Sequence, residues 1–320
     1  MNFPAKTAFW RRTPPAVFPP IMGLLGLGLA WRRAAEELAV SPAIADLVLG
    51  AATTIFLFLF AAHMAKFLAR PETVIEDLRV LPGRTGLAAA SLCVLLLAAV
   101  AVPYSERLAV FLLTTGLLWH IVLAALMVRG FFAAPREQRK ATPAWHLSFV
   151  GFIVAPLASA PLGMVGLTNA IFVATLVISG TIYAISAAQL WQRSPPAPLR
   201  PLLAIHLAPL SLLGTACVVL GHITLALIFA GLASLMFAAL LARVRYLVAA
   251  GFSPLWGAFT FPLAAYAGLL LALADYGVVF RFTGGAALVA ASLIIPPIAL
   301  QVLRQWARGT LAAATNAAVA

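Results

Sequence analysis

The chain has 320 residues, of which 63% are hydrophobic and only 9% charged, and its mean hydropathy is +1.04. A soluble domain of this size cannot cover its surface with so little charge, so the composition indicates a polytopic helical membrane protein. The net charge of +12 does not point to nucleic acid, because the basic residues lie in short loops between apolar runs and form no basic domain.

Taken in chain order, the first apolar run follows Lys6, Arg11 and Arg12 and ends in Leu29-Ala30-Trp31-Arg32-Arg33. It offers no small-residue cleavage site, so it reads as a retained span and not as a signal peptide. Apolar runs bounded by polar or Gly/Pro breaks predict ten helices, at 14–31, 43–67, 86–103, 106–131, 144–162, 166–191, 201–220, 222–246, 252–273 and 283–304. Residues 1–320 thus form a single transmembrane domain, with no stretch long and polar enough for a soluble one. If the N-terminus is cytoplasmic, seventeen of the 21 lysines and arginines fall on the cytoplasmic side. Only Arg32, Arg33, Arg107 and Arg281 fall on the other. That asymmetry predicts both termini inside and an even number of spans.

The odd spans carry a proline register. Pro156, Pro209 and Pro262 each precede a leucine and are spaced 53 residues apart, in the contexts GFIVAPLASA, AIHLAPLSLL and GAFTFPLAAY. A constant period of two helices marks an internal hairpin repeat. The first span has Pro19 and Pro20, with Pro20 the kink candidate. The third departs from the register, since Pro103 falls at its outer end. A proline removes one backbone donor and clashes with the preceding turn, so it kinks a helix. A single membrane proline often serves packing alone, but three in register on alternate helices predict an inner ring of kinked odd helices with the even helices outside. Small residues beside the kinks would leave a pore or cavity.

Aligned on proline, the preceding residues are Ala155, Ala208 and Phe261. Two copies are small where the third is an aromatic ring. Phe261 lies nine residues or so into its span, ~13 Å at the helical rise, near the middle of a ~30 Å hydrocarbon core. A ring facing an axis lined by Ala155 and Ala208 would close it; the alternative is a Phe packed between helices. Gly23-x-x-Gly26-x-Gly28 lets a neighbouring backbone approach, with packing the first reading and pore lining by Gly23 the second. His206, one turn from Pro209, reads first as a histidine hydrogen-bonded between helices and second as a pore residue.

Two stretches carry a family resemblance. FPPIMGLLGLGLAW (Phe18 to Trp31) resembles the first helix of the tellurite-resistance/C4-dicarboxylate transporter family, which includes bacterial TehA and the plant slow anion channels. FSPLWGAFTFPLAAYA (Phe252 to Ala267) resembles its ninth helix. The resemblance implies an all-α fold of ten transmembrane helices, as five helical hairpins in quasi-fivefold order around a central pore. It further implies a homotrimer with one pore per protomer, and a pore-blocking role for the phenylalanine before the ninth-helix proline, here Phe261. The family often reads Phe-Gly-Ile-Pro in helix one, whereas this chain has Phe18-Pro19-Pro20-Ile21, which leaves the site of the first kink open.

No carboxylate falls mid-span, no paired-carboxylate metal motif or His-Glu-x-x-His occurs, and no Ser/His/Asp set lies within the spans. Cys93 and Cys217 sit in apolar runs as buried small hydrophobes. No catalytic residue, metal or cofactor is therefore expected. A neutral pore with arginines at its cytoplasmic mouth would favour anions. The sequence thus predicts an anion channel for small monovalent anions, occluded by Phe261, with membrane lipid and small inorganic anions as its partners. It would sit in the cell membrane, the inner membrane in a Gram-negative source. The alternative is a coupled carrier or exporter for C4-dicarboxylate, sulfite or tellurite-type oxyanions; a non-transporting membrane scaffold is a third reading, disfavoured by the proline register.

Overall fold

The computed structural model describes residues 9–133 and 142–320. Lys6, Arg136, Arg139 and Lys140, counted above for orientation, lie outside the described residues. Among the described residues the chain is all-helical, with no strand. The α-helices are α1 (Phe18–Glu37), α2 (Ala43–Ala69), α3 (Glu72–Arg79), α4 (Leu81–Ala101), α5 (Glu106–Ala133), α6 (Pro156–Ser159), α7 (Val165–Gln192), α8 (Leu207–Val219), α9 (Ile223–Ala242), α10 (Val244–Leu247), α11 (Gly257–Ala272), α12 (Val278–Ala307) and α13 (Leu311–Ala314).

Among the described residues, eight helical stretches are long and apolar enough to cross a membrane. They are α2, α4, α5, α7, α9, α12, the run Ala197–Val219 that ends in α8, and the run Pro254–Ala272 that contains α11. Two of the ten expected spans are not among them. Helix α1 carries Arg32, Arg33, Glu36 and Glu37 in its last turns. The expected fifth span is a π-turn at His146–Val150, a 3-10 turn at Gly151–Val154 and then the short α6. The third span also begins earlier than hydropathy suggests, at Leu81, with Pro82 in the first turn where its missing N–H costs nothing.

The prolines explain the irregular helices. Pro156 opens α6 directly after the 3-10 turn, and Pro209 lies in the first turn of α8, directly after a 3-10 helix at Ala197–His206. A proline clashes with the turn before it in α geometry, and tightening or widening that turn relieves the clash. Pro20 likewise sits in the first turn of α1, after a 3-10 turn at Pro15–Val17. Pro262 differs: it lies inside α11, so the carbonyl of Ala258 loses its usual helical donor.

Burial separates the membrane-length helices into two sets. In α4, Ala197–Val219 and Pro254–Ala272, between 67% and 89% of the apolar window is buried within the chain. In α2, α5, α7, α9 and α12 the share is 17–39%. The packing follows this division. Helix α1 packs on α4, α4 on the 146–159 segment, that segment on α8, α8 on α11, and α11 back on α1. Each exposed helix covers the buried segment that precedes it: α2 on α1, α5 on α4, α7 on 146–159, α9 on α8 and α12 on α11. An apolar residue gains nothing from leaving lipid for protein, so the exposed set can stay apolar all round.

The two ends of the chain meet. The Ala320 N–H donates to the Arg11 carbonyl at 3.1 Å, and Arg70 Nη1 donates to the Val319 carbonyl at 2.7 Å. Beneath them lies a fully buried ion pair, Lys66 Nζ to Asp77 Oδ2 at 2.8 Å. Asp77 Oδ1 accepts the Ala318 N–H at 2.9 Å, and Lys66 also donates to the Thr13 carbonyl at 3.4 Å. Burial pushes the Asp77 carboxyl above its ordinary range, opposed by the Lys66 ammonium and the Ala318 N–H.

Candidate functional site

Phe261 is buried, 6% exposed, at the centre of the buried segments. Phe261 lines a cavity on each side. One, of about 40 Å³, lies toward the chain ends and is lined among others by Pro19, Pro82, Leu147, Ile205, Ala208 and Pro262. The other, of about 290 Å³, lies toward the far ends of α1 and α4 and is lined among others by Gly26, Leu96, Leu157, Leu212 and Ala265. We call these proximal and distal. All five buried segments contribute to both walls. A third space of about 20 Å³ beside the ring is bounded by Met22, Leu92, Val150, Ala208 and Leu212.

Helical spacing ties the two cavities into one line. On α1, Pro19 and Met22 face the proximal cavity and Gly26, Leu29, Ala30 and Arg33 the distal one, at steps of three and four. On α11, Ala258, Phe261 and Pro262 face the proximal cavity, and Phe261, Ala265 and Gly268 the distal one. One face of each helix therefore runs along both spaces, and Phe261 is the residue that both spaces share.

The glycines of α1 seat α11. A methyl on Gly23 would stand 2.3 Å from Thr260 Cβ and 3.1 Å from the Phe261 nitrogen. A methyl on Gly26 would stand 2.9 Å from Phe261 Cδ2. Thr260 Oγ1 lies 2.7 Å from the Gly257 carbonyl and 3.2 Å from the Pro19 carbonyl, a shared bond that ties the start of α11 to the start of α1. Gly28 faces elsewhere, toward Leu49 on α2, where a methyl would stand 2.5 Å from Leu49 Cδ2. Gly26→Ala is therefore expected to lift one ring edge off its seat, and Gly28→Ala to press on Leu49, each lowering thermal stability by ~1–3 kcal/mol through overpacking. Melting of the two purified variants, measured side by side, checks this.

Of the other sequence candidates, Ala208 lines the proximal cavity, whereas Ala155 is fully buried and borders none of these three spaces. Gly23 packs against Thr260 and is also outside these linings. His206 Nδ1 meets His146 Nε2 at 3.0 Å, and His206 Nε2 meets Ser186 Oγ at 2.8 Å on α7. Tyr183 OH donates to the His206 carbonyl at 2.5 Å. His146, and not His206, borders the small space by the ring, and its buried Nδ1 has no hydrogen-bond partner among the described residues. Phe259 stacks edge-on with Trp256 at 5.8 Å and borders none of the three spaces.

Three features were not read from the sequence. Gly26, one turn beyond Met22, lies on the lining face of α1 and meets the Phe261 ring. Leu212 lies one turn after the pre-proline Ala208, a step that places it on the same face. Together with Met22 it makes the surroundings of the ring bulky and aliphatic as well as small. No arginine lines the proximal cavity, whereas Arg32 and Arg33 line the distal one.

A mostly apolar line of side chains, crossed by one aromatic ring inside a helical membrane protein, fits a channel or transporter. Residues 12–302 match the family model described as voltage-dependent anion channel (SLAC1). The chain belongs to that family. A comparison with curated proteins gave no match.

Proposed function

We propose that the protein is a channel for small monovalent anions, with a pathway along the five buried segments that the ring of Phe261 closes. The observation that carries this reading is the ring's position as the shared wall of the proximal and distal cavities. Membership of an anion-channel family supports anions as the permeant species. Its ten segments, α1 to α12 with 146–159 counted as one and the short α3 and α10 left aside, form five hairpins in quasi-fivefold order. The closed sequence of contacts among the buried segments supports this arrangement.

The mechanism is a hydrophobic constriction. An anion must shed water to pass, and a phenyl ring between aliphatic neighbours offers no dipole in exchange. Conduction then requires the ring to leave the line, which Pro262 favours by leaving α11 short of one backbone hydrogen bond at that level. Discrimination among anions follows the ease of dehydration, because no charged group lines the proximal cavity. On the family resemblance we extend the proposal to a homotrimer with one pathway per protomer. It lies in the cell membrane, the inner membrane in a Gram-negative source, with both termini cytoplasmic; the contact of Ala320 with Arg11 supports a common side for the two ends.

A coupled carrier for C4-dicarboxylate, sulfite or tellurite-type oxyanions is the rival. Proteoliposomes holding the purified protein separate the two. Anion flux driven by an imposed voltage alone is the expected result, and flux that requires a proton gradient contradicts the channel.

A further inference from the structure

The distal cavity holds an arginine that the protein leaves uncompensated. Arg32 Nη1 lies 3.4 Å from the Ala99 carbonyl and 3.3 Å from the Val100 carbonyl, at the end of α4. Its guanidinium carbon stands 5.7 Å from the Tyr104 ring centre. These contacts fix the group in place without neutralising it. Arg32 takes part in no ion pair among the described residues, and its Nη2 is buried with no hydrogen-bond acceptor. The guanidinium therefore brings its charge to the cavity wall without a counter-ion, and an anion in that cavity gains from the unmatched charge. The neighbouring Arg33 is different: it pairs with Glu36 at 2.9 Å. The charged residues lining this cavity are therefore Arg32, Arg33 and Glu36, with one positive charge in excess.

We propose that the distal cavity is an anion-binding site built on Arg32, matched by charge to a single halide- or nitrate-like anion. The proposal rests on the reading of the pathway as anion-conducting, and it adds a loading site on the side away from the chain ends. A fixed positive charge in a concave, partly apolar space raises the local anion concentration. Phe261 borders the same cavity, so a bound anion would wait on the distal side of the closed ring. One excess charge suits a monovalent anion better than a divalent oxyanion, whose second charge would go unmatched.

The test is chloride binding to the purified full-length protein in nanodiscs of neutral phosphatidylcholine, followed by chloride-35 NMR line broadening. Wild type is expected to show saturable broadening that nitrate displaces more readily than sulfate. Arg32→Gln should weaken it ~10-fold or more, through loss of the fixed charge, while Arg32→Lys retains most of it. Glu36→Gln frees Arg33 and should strengthen chloride binding and let sulfate compete better, an increase that misfolding cannot mimic. No saturable broadening in wild type, equal broadening in Arg32→Gln, or no gain in Glu36→Gln overturns the site. Its failure is separable from failure of the channel reading. If Phe261→Ala conducts anions while Arg32→Gln binds chloride as wild type does, only this site is refuted. If Phe261→Ala does not conduct, the channel reading falls and the binding result still stands or falls by itself.

Discussion

Phe261→Ala is expected to raise anion current at fixed voltage by ~10-fold or more, which corresponds to ~1.4 kcal/mol or more off the barrier to passage. Phe261 is the only residue of α11 that lines both the proximal and the distal cavity. Truncation would join a space of about 40 Å³ to one of about 290 Å³. The variant should fold, because the lost volume opens onto existing cavities and water can fill it, unlike a sealed apolar void. Met22 and Leu212 border the same small space as Phe261 and are expected to limit the current that remains along the proposed pathway. Phe261→Ala/Leu212→Ala should therefore conduct more than Phe261→Ala alone. Phe259→Ala is the control, because that ring stacks on Trp256 outside the line. Voltage-clamp currents normalised to surface expression read all three. A quiet Phe261→Ala beside a conducting Phe259→Ala would assign the gate to the wrong residue.

The largest expected loss of stability lies where the two ends of the chain meet. Asp77→Ala strips the partner from a fully buried Lys66 and removes the acceptor for the Ala318 N–H. Breaking one side of a buried pair costs ~3–5 kcal/mol, mostly from the charge left behind. Thermal unfolding in detergent should show this as a large drop in melting temperature, with faster proteolysis of the C-terminal residues that Asp77 and Arg70 hold. Replacing both partners by apolar residues, Lys66→Met/Asp77→Leu, should recover most of the loss, because apolar replacements of a buried pair are often near neutral. Equal melting of Asp77→Ala and wild type would mean that the pair holds nothing together.

The two predictions rest on features that differ in how far the sequence discloses them. The alternation of buried and exposed helices follows from hydropathy together with the period of the prolines, since both repeat with the hairpin. Phe261 is visible because it breaks a repeat, standing where Ala155 and Ala208 stand in the other copies. What the prolines do locally is not visible. Pro156 conflicts with the turn before it, but whether 146–154 answers by kinking, tightening or widening depends also on the neighbouring segments, and hydropathy counts carry no such information. Contacts between distant helices are hidden for the same reason. Gly26 meets the Phe261 ring, and His146 meets His206, only once the segments close on one another. Lys66 and Asp77 look like ordinary loop charges until the chain ends fold over them and exclude water. Arg32 and Arg33 count as topology signals in the sequence, and their place in the cavity wall depends on how far α1 continues, to Glu37.

The central claim, an anion-selective pathway closed by Phe261, is tested most directly by the reversal potential of Phe261→Ala. With unequal chloride across the membrane and a large impermeant cation, the current should reverse close to the chloride equilibrium potential. Replacing chloride by nitrate on one side should move that potential, while changing the proton gradient should not. A potential that follows the cation or the proton gradient, or a variant without current at normal surface expression, would contradict the account.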